Sequence, residues 1–117
     1  MSKYKSKWTE YNGRKYQSVL ESTRAQQLDL LKKADEIIEW EPQFKIPLYT
    51  AVEDKQGNLT RIRVCDYIID FKITSESGIY FEEIKGFENE IFKIKYKWLK
   101  LQHPNWDVRV LTKREIG

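Results

Sequence analysis

Cysteine and histidine are nearly missing from this chain: Cys65 and His103 stand alone among 117 residues. One cysteine permits no disulfide framework and no cysteine-based zinc site, and one histidine excludes metal sites built on paired imidazoles. Long apolar runs are missing too. Nothing approaches the roughly 18 residues a membrane span needs, and no signal-like stretch is present. These absences predict a reducing, cytoplasmic setting and no membrane partner. Charge of one sign is also scarce. Against 21 basic residues stand 18 acidic ones, a formal charge of only +3, so the bulk charge is weak evidence for a polyanionic partner.

What charge there is lies in clusters. Lys3, Lys5, Lys7, Arg14 and Lys15 are set against Glu10 alone in residues 1–16, and Lys93, Lys95, Lys97 and Lys100 occupy a stretch without an acid. Such clusters suit phosphate backbones, although charge alone fits an ordinary solvated surface equally well. With 40% hydrophobic and 14% aromatic residues the chain has material for a core. Its length suits one domain over 1–117, with residues 1–8 as a flexible basic arm.

Local signals divide the rest. Asn12-Gly13 is a hairpin dipeptide between Trp8–Tyr11 and Arg14–Tyr16. Ser18, with Glu21 three residues on, predicts a capped helix to about Ala34. A connector over 36–43 is expected to lead to strands near 44–51, 59–65, 67–73 and 79–85, with Gln56-Gly57-Asn58 turning between the first two. A second helix opens at Glu88 or Asn89 and stops near Gln102, where His103-Pro104-Asn105 breaks it. Val108–Leu111 predicts a last strand, followed by a frayed basic end. Helix, several antiparallel strands, helix, strand is the order of an α/β fold with a mixed central sheet flanked by helices.

Residues 68–86 carry the chemistry. Two apolar runs flank Ser75-Glu76-Ser77-Gly78, and a turn there sets Thr74 against Ile79 and Asp70 against Glu83, with Cβ atoms roughly 5 Å apart. Alternation puts Lys85 on the face of Glu83. Two acids and an ammonium on one hairpin face make a divalent-metal site or a cross-strand charge ladder. Facing acids in strands flanked by Tyr67-Ile68-Ile69 and Ile79-Tyr80-Phe81 need a cation between them, which favours the metal. On a helical wheel Glu21 and Gln17 share the arc of Arg24, Leu28 and Leu31, so Glu21 points to the sheet edge as a cap partner or a site residue. In the second helix Ile91, Ile94, Trp98 and Leu101 are the expected buried face. Lys93, Lys97 and Lys100 form a solvated stripe, and Lys95 lies among apolar residues, snorkelling or reaching the site. Trp8, Tyr11, Tyr16 and Trp40 are candidates for stacking on bases, with core packing the competing role, above all for Trp40. Asp66 is a competing acid on the Asp70 strand, Glu82 alternates to the opposite face, His103 suits a helix cap, and Cys65 suits the core.

A helix Glu21, then Asp70, then Glu83-Ile84-Lys85 resembles the PD-(D/E)xK nuclease superfamily. More closely, Tyr16-Gln17-Ser18 through Glu21, Tyr67–Phe71, Glu82–Phe87 and Phe92–Lys97 are similar to small phage-type endonucleases described as Holliday-junction-resolvase-like. The likeness runs from about residue 11 to 111, with Ile69 where the superfamily's proline would stand. It implies a restriction-endonuclease-like core in α-β-β-β-α-β order and a metal-dependent DNA endonuclease acting on branched DNA. It further implies a homodimer, since a junction needs paired cuts. Asp70, Glu83 and the Ile84 carbonyl would hold Mg2+ or Mn2+, and Glu21 would hold a metal-bound water or a second ion. Lys85 would position or deprotonate the water, or stabilise the charged phosphorane, with Gln17 orienting the same group. Lys93, Lys95, Lys97, Lys7, Arg14 and Lys15 would contact DNA. A non-catalytic nucleic-acid-binding module of the same fold is the alternative, and a protein-interaction domain a further one.

Overall fold

The computed structural model describes residues 8–86 and 89–117; the Lys7 and Glu88 expectations lie outside them. Strands β1 (Thr9–Tyr11) and β2 (Arg14–Tyr16) pair as a small antiparallel ribbon. Asn12 and Gly13 hold φ of 52° and 79° between them, the left-handed pair that a two-residue hairpin requires. Helix α1 (Val19–Lys33) begins at extended Ser18, whose Oγ accepts the Glu21 N–H at 3.1 Å. Lys32 and Lys33 fall in its last turn, where the helix dipole favours cations.

Four strands form the main sheet in the order β3 (Glu39–Glu53), β4 (Leu59–Ser75), β5 (Gly78–Ile84) and β6 (Asp107–Leu111). The first three are antiparallel, and β6 lies parallel to β5 after the crossing helix α2 (Glu90–Gln102). The fold is therefore mixed α/β, a four-stranded mixed sheet flanked by helices. The turn after β3 is fastened by Asp54, whose Oδ1 accepts the Gln56 and Asn58 N–H groups at 2.9 and 2.8 Å. The β4–β5 hairpin has the expected register, with Thr74 opposite Ile79 and Ser75 opposite Gly78.

Several expectations are corrected. The connector over 36–43 is largely strand: β3 starts at Glu39, and Pro42 and Pro47 are tolerated because β3 is an edge strand. The separate strands 59–65 and 67–73 are one strand, β4, because a bulge at Leu48/Tyr49 absorbs the irregularity without breaking the chain. The basic end is not frayed. It forms α3 (Lys113–Ile116), with a Thr112–Glu115 capping box, and buries Ile116. On α2 the buried face is Phe92, Tyr96 and Leu99, whereas Ile91, Ile94 and Leu101 are exposed.

Two apolar clusters hold the sheet. Tyr16, Ala25, Leu28, Phe71, Ile73, Ile84 and Ile116 pack with α1, while Ile46, Leu48, Tyr67, Ile69, Phe81 and Leu99 pack with α2. Tyr67 and Ile69 belong to the second and Phe71 and Ile73 to the first, so β4 hands over between clusters at Asp70. Trp40 packs edge-on to Phe71 at 5.7 Å, with its Nε1–H donating to Asp29 at 2.9 Å. Tyr16 is buried and unavailable to stack on bases, whereas Trp40 is partly buried against the first cluster. Arg24 of α1 binds the buried Glu82 through two hydrogen bonds of 2.8 and 2.7 Å, so Glu82 is turned to α1. The outer edge of β3 is covered where α2 crosses it: Gln102 bonds Pro47 O and Tyr49 N–H, both at 2.8 Å, and Trp98 Nε1–H donates to Tyr49 O at 3.0 Å. Cys65 packs against the second cluster, and His103 caps α2 and stacks on Trp106. Among the described residues no helix is long and apolar enough to cross a membrane.

Candidate functional site

Three acids from three elements, Glu21 of α1, Asp70 of β4 and Glu83 of β5, lie near enough to influence one another's charge. Pairing between β4 and β5 ends at Phe71 and Glu82, one step short of Asp70 and Glu83. There the Asp70 carboxylate accepts the Ile84 N–H at 2.7 Å in place of a ladder bond. The ladder to β3 likewise skips the position beside Asp70, where Gln43 adopts φ of 51°. Asp70 thus sits where main-chain pairing lapses on both sides, and its side chain fills part of the gap.

The electrostatics tie the acids together. Burial pushes Asp70 well above the usual carboxylate range, and the nearby Glu83 charge adds to it. Glu83 rises to about 7, mainly through burial and further through Glu21, against the lowering influence of the nearby Tyr67 hydroxyl and of Asp70. Glu21 also rises to about 7, through burial and then the Asp70 charge, while the Gln17 main chain pulls it down. Mutual repulsion of desolvated carboxylates is the common cause, and a bound proton or a cation relieves it. Of the capping box expected for Glu21, only the Ser18 half is present.

One residue here escaped the sequence reading. Tyr67 Oη and Glu83 Oε1 are both buried without a well-aligned hydrogen-bond partner among the described residues, yet they lie close enough to perturb each other. Burial and the Glu83 charge hold the Tyr67 phenol above its ordinary value. An alternating strand tyrosine reads as core packing. The available signal was that its hydroxyl must find a partner three residues from Asp70.

The remaining candidates are placed as follows. Lys85 follows β5 directly; its N–H donates to Leu111 O at 2.7 Å and its side chain is exposed. Ile84 has a buried side chain, and its N–H is the donor to Asp70. Gln17 is not on the helix but precedes its cap, exposed, and acts on Glu21 through its main chain. Lys95 donates to the Asp66 carbonyl at 3.1 Å, binding α2 to β4, so its ammonium is engaged in the fold. Asp66 pairs with Arg63 and stays outside the acid cluster. Lys93 and Lys97 are exposed on α2, and Arg14 and Lys15 are exposed on β2. Two open clefts lie around Tyr11, Asp29 and Lys32, away from the acid cluster. The Asp29 carboxylate shared by both clefts accepts hydrogen bonds from Tyr11 and Trp40.

The donor set suits a hard divalent cation: carboxylate oxygens, with Glu83 Oε1 buried and unmatched. The cluster is not closed around an ion, however. Among the described residues no group of three or more His, Cys, Asp or Glu side chains is arranged to hold a metal. Asp70 and Glu83 instead lie near enough for each to perturb the other's carboxyl.

The chain belongs to the family described as "Protein of unknown function (DUF1064)", whose model matches residues 1–115. No curated protein matches it.

Proposed function

We propose that this chain is a Mg2+- or Mn2+-dependent DNA endonuclease with a restriction-endonuclease-like core. It would be similar to the small Holliday-junction-resolvase-like enzymes of the PD-(D/E)xK superfamily. The observation that carries the reading is the meeting of Glu21, Asp70 and Glu83, each with its carboxyl pushed upward by burial beside another acid. Such a cluster costs stability at neutral pH unless a cation joins it.

Asp70 and Glu83 are the ligands of choice, with the Ile84 carbonyl and Glu21 as further oxygen donors. A divalent ion there would supply the charge that makes water acidic and offsets the charge of the scissile phosphate. Lys85, exposed just after Glu83 and Ile84, would offer an ammonium to stabilise negative charge developing on phosphorus. Glu21 orients water from the helix side, held in place by the Ser18 cap and the Gln17 main chain. Lys93, Lys97, Arg14, Lys15 and Lys7 supply phosphate contacts. Lys95 acts through the fold, by fastening α2 beside β4. Branched DNA is the substrate, a homodimer supplies paired cuts, and the setting is cytoplasmic.

A second reading is a non-catalytic nucleic-acid-binding module, favoured by the lack of a closed metal-holding group among the described residues. A panel of four-way junction, flap, single-strand and duplex DNA in Mg2+ separates the two. The endonuclease reading expects the wild type to cut the junction fastest, and Lys85→Ala to bind it without cutting. Binding without cleavage of any substrate by the wild type would establish the second reading.

A further inference from the structure

Two buried polar atoms beside the acid cluster lack a partner, and the fold turns both to the same side of the sheet. Tyr67 is only 3% exposed, and neither its Oη nor Glu83 Oε1 has a hydrogen-bond partner among the described residues. Tyr67, Ile69 and Phe81 pack together in the second cluster under α2, and Glu83 follows Phe81 by two residues in β5. Alternation therefore turns Glu83 to the α2 face, while Glu82 between them is turned to Arg24 of α1. The Tyr67 ring lies 6.4 Å from both Phe92 and Tyr96, which stack on each other at 5.8 Å. Burial, and then the Glu83 charge, hold both phenols above their ordinary values.

Packing alone does not call for a hydroxyl at this position. A phenylalanine would fill the same space without burying an unmatched donor. A donor without an acceptor on Tyr67 and an acceptor without a donor on Glu83 are the two halves of one bond. The other acids of the cluster already have such a donor: the Ile84 N–H reaches Asp70 at 2.7 Å, and the Gln17 main chain serves Glu21. The remaining unmatched hydroxyl, Ser22 Oγ, lies within α1, where rotation offers it a carbonyl of its own helix.

We propose that Tyr67 is a positioning residue of the acid centre, whose hydroxyl donates to Glu83 Oε1 and so leaves the other carboxylate oxygen to face the cation. This rests on the metal-dependent reading of that centre. A hydrogen bond from behind a ligand fixes its orientation, and losing the bond weakens metal binding without removing the ligand. A donor to the ionised carboxylate also favours the form that binds a cation, which matters most where burial and neighbouring acids oppose that form. Tyr67 touches neither DNA nor the reacting atoms in this arrangement and acts through Glu83.

The test titrates Mn2+ into the full chain, reading the free ion by paramagnetic resonance, with thermal melts in EDTA alongside. Tyr67→Phe is expected to bind Mn2+ about 10-fold more weakly than wild type and to melt no lower. Phe92→Leu trims the same ring stack and keeps the hydroxyl; it is expected to melt lower and to bind Mn2+ as wild type does. Wild-type affinity in Tyr67→Phe overturns the proposal, as does a Phe92→Leu that weakens binding equally. A Tyr67→Phe that melts well below wild type also overturns it, since the hydroxyl would then be a structural bond. A wild type that binds no Mn2+ overturns the metal-dependent reading and this proposal together, whereas equal binding by wild type and Tyr67→Phe strikes Tyr67 alone.

Discussion

Replacing Glu83 by glutamine should stabilise the metal-free protein at alkaline pH while abolishing its response to metal. Glu83 is raised from 4.5 to about 7, chiefly by burial and further by Glu21. Its folded value therefore lies above its unfolded value, and the native state holds a proton that the unfolded chain has released. Stability falls as pH rises through the window from about 4.5 to about 7, and stays low above it. A displacement of that size corresponds to about 3 kcal/mol. The isosteric amide removes both the charge and its repulsion with Glu21. The expected gain for Glu83→Gln at pH 8 in EDTA is about 2–3 kcal/mol, or roughly 10 °C in melting temperature for a chain of this size. At pH 5 the wild type is already protonated at this position, and the difference should shrink below about 1 kcal/mol. Adding Mn2+ at pH 8 should raise the wild-type midpoint and leave the variant unchanged. Thermal melts at the two pH values read all of this. A variant no more stable than wild type at pH 8, with the same pH slope, would refute the crowded-acid reasoning.

Tyr67→Phe removes a buried hydroxyl without a well-aligned partner, so denaturant unfolding should show little loss or a slight gain. Calorimetric titration should show Mn2+ affinity reduced about 10-fold or more if the phenol orients Glu83; unchanged affinity would leave Tyr67 a packing residue. Arg24→Ala strands the buried Glu82 and should cost about 3–5 kcal/mol by chemical denaturation. The Arg24→Met/Glu82→Leu pair should recover most of it, with Mn2+ binding intact; a loss of metal response in the recovered pair would tie Glu82 to the site.

The hairpin register was legible because the turn at Ser75–Gly78 leaves one pairing consistent with the apolar runs on both sides. The cap of α1 and the Asn12-Gly13 turn were legible for a similar reason: each is a local signal that tertiary packing does not override. The face of α2 was not. Two apolar arcs compete on that helix, Ile91–Ile94–Leu101 and Phe92–Tyr96–Leu99, and hydropathy favours the aliphatic one. The sheet takes the aromatic arc, where Phe92 and Tyr96 stack on each other and flank Tyr67. The continuity of β4 through residue 66 depends on a bulge, which single-strand periodicity does not register. The Thr112–Glu115 capping box was present in the sequence, but it follows so few apolar residues that the segment reads as a tail until Ile116 is seen in the core. Arg24 with Glu82 left no local signal, since the partners are 58 residues apart.

Within the site, the meeting of Asp70 with Glu83 followed from alternation and register alone. The approach of Glu21 needed the additional inference that the polar start of α1 overhangs the sheet edge. Gln17 was placed on the wheel as though helical. The chain turns there to bring Ser18 into its capping conformation, and only the Gln17 main chain serves Glu21. Lys95 was drawn toward the sheet by its helical position, and its ammonium donates to the Asp66 carbonyl.

The account rests on the acid cluster as a metal-dependent phosphodiester-cleaving centre, and one measurement addresses it directly. A labelled four-way DNA junction is incubated with wild type and with Asp70→Asn, with Mg2+ and with EDTA. The account predicts cleavage by the wild type in Mg2+ alone, and none by Asp70→Asn although it remains folded. Equal cleavage by the two proteins, or wild-type cleavage that persists in EDTA, would contradict it.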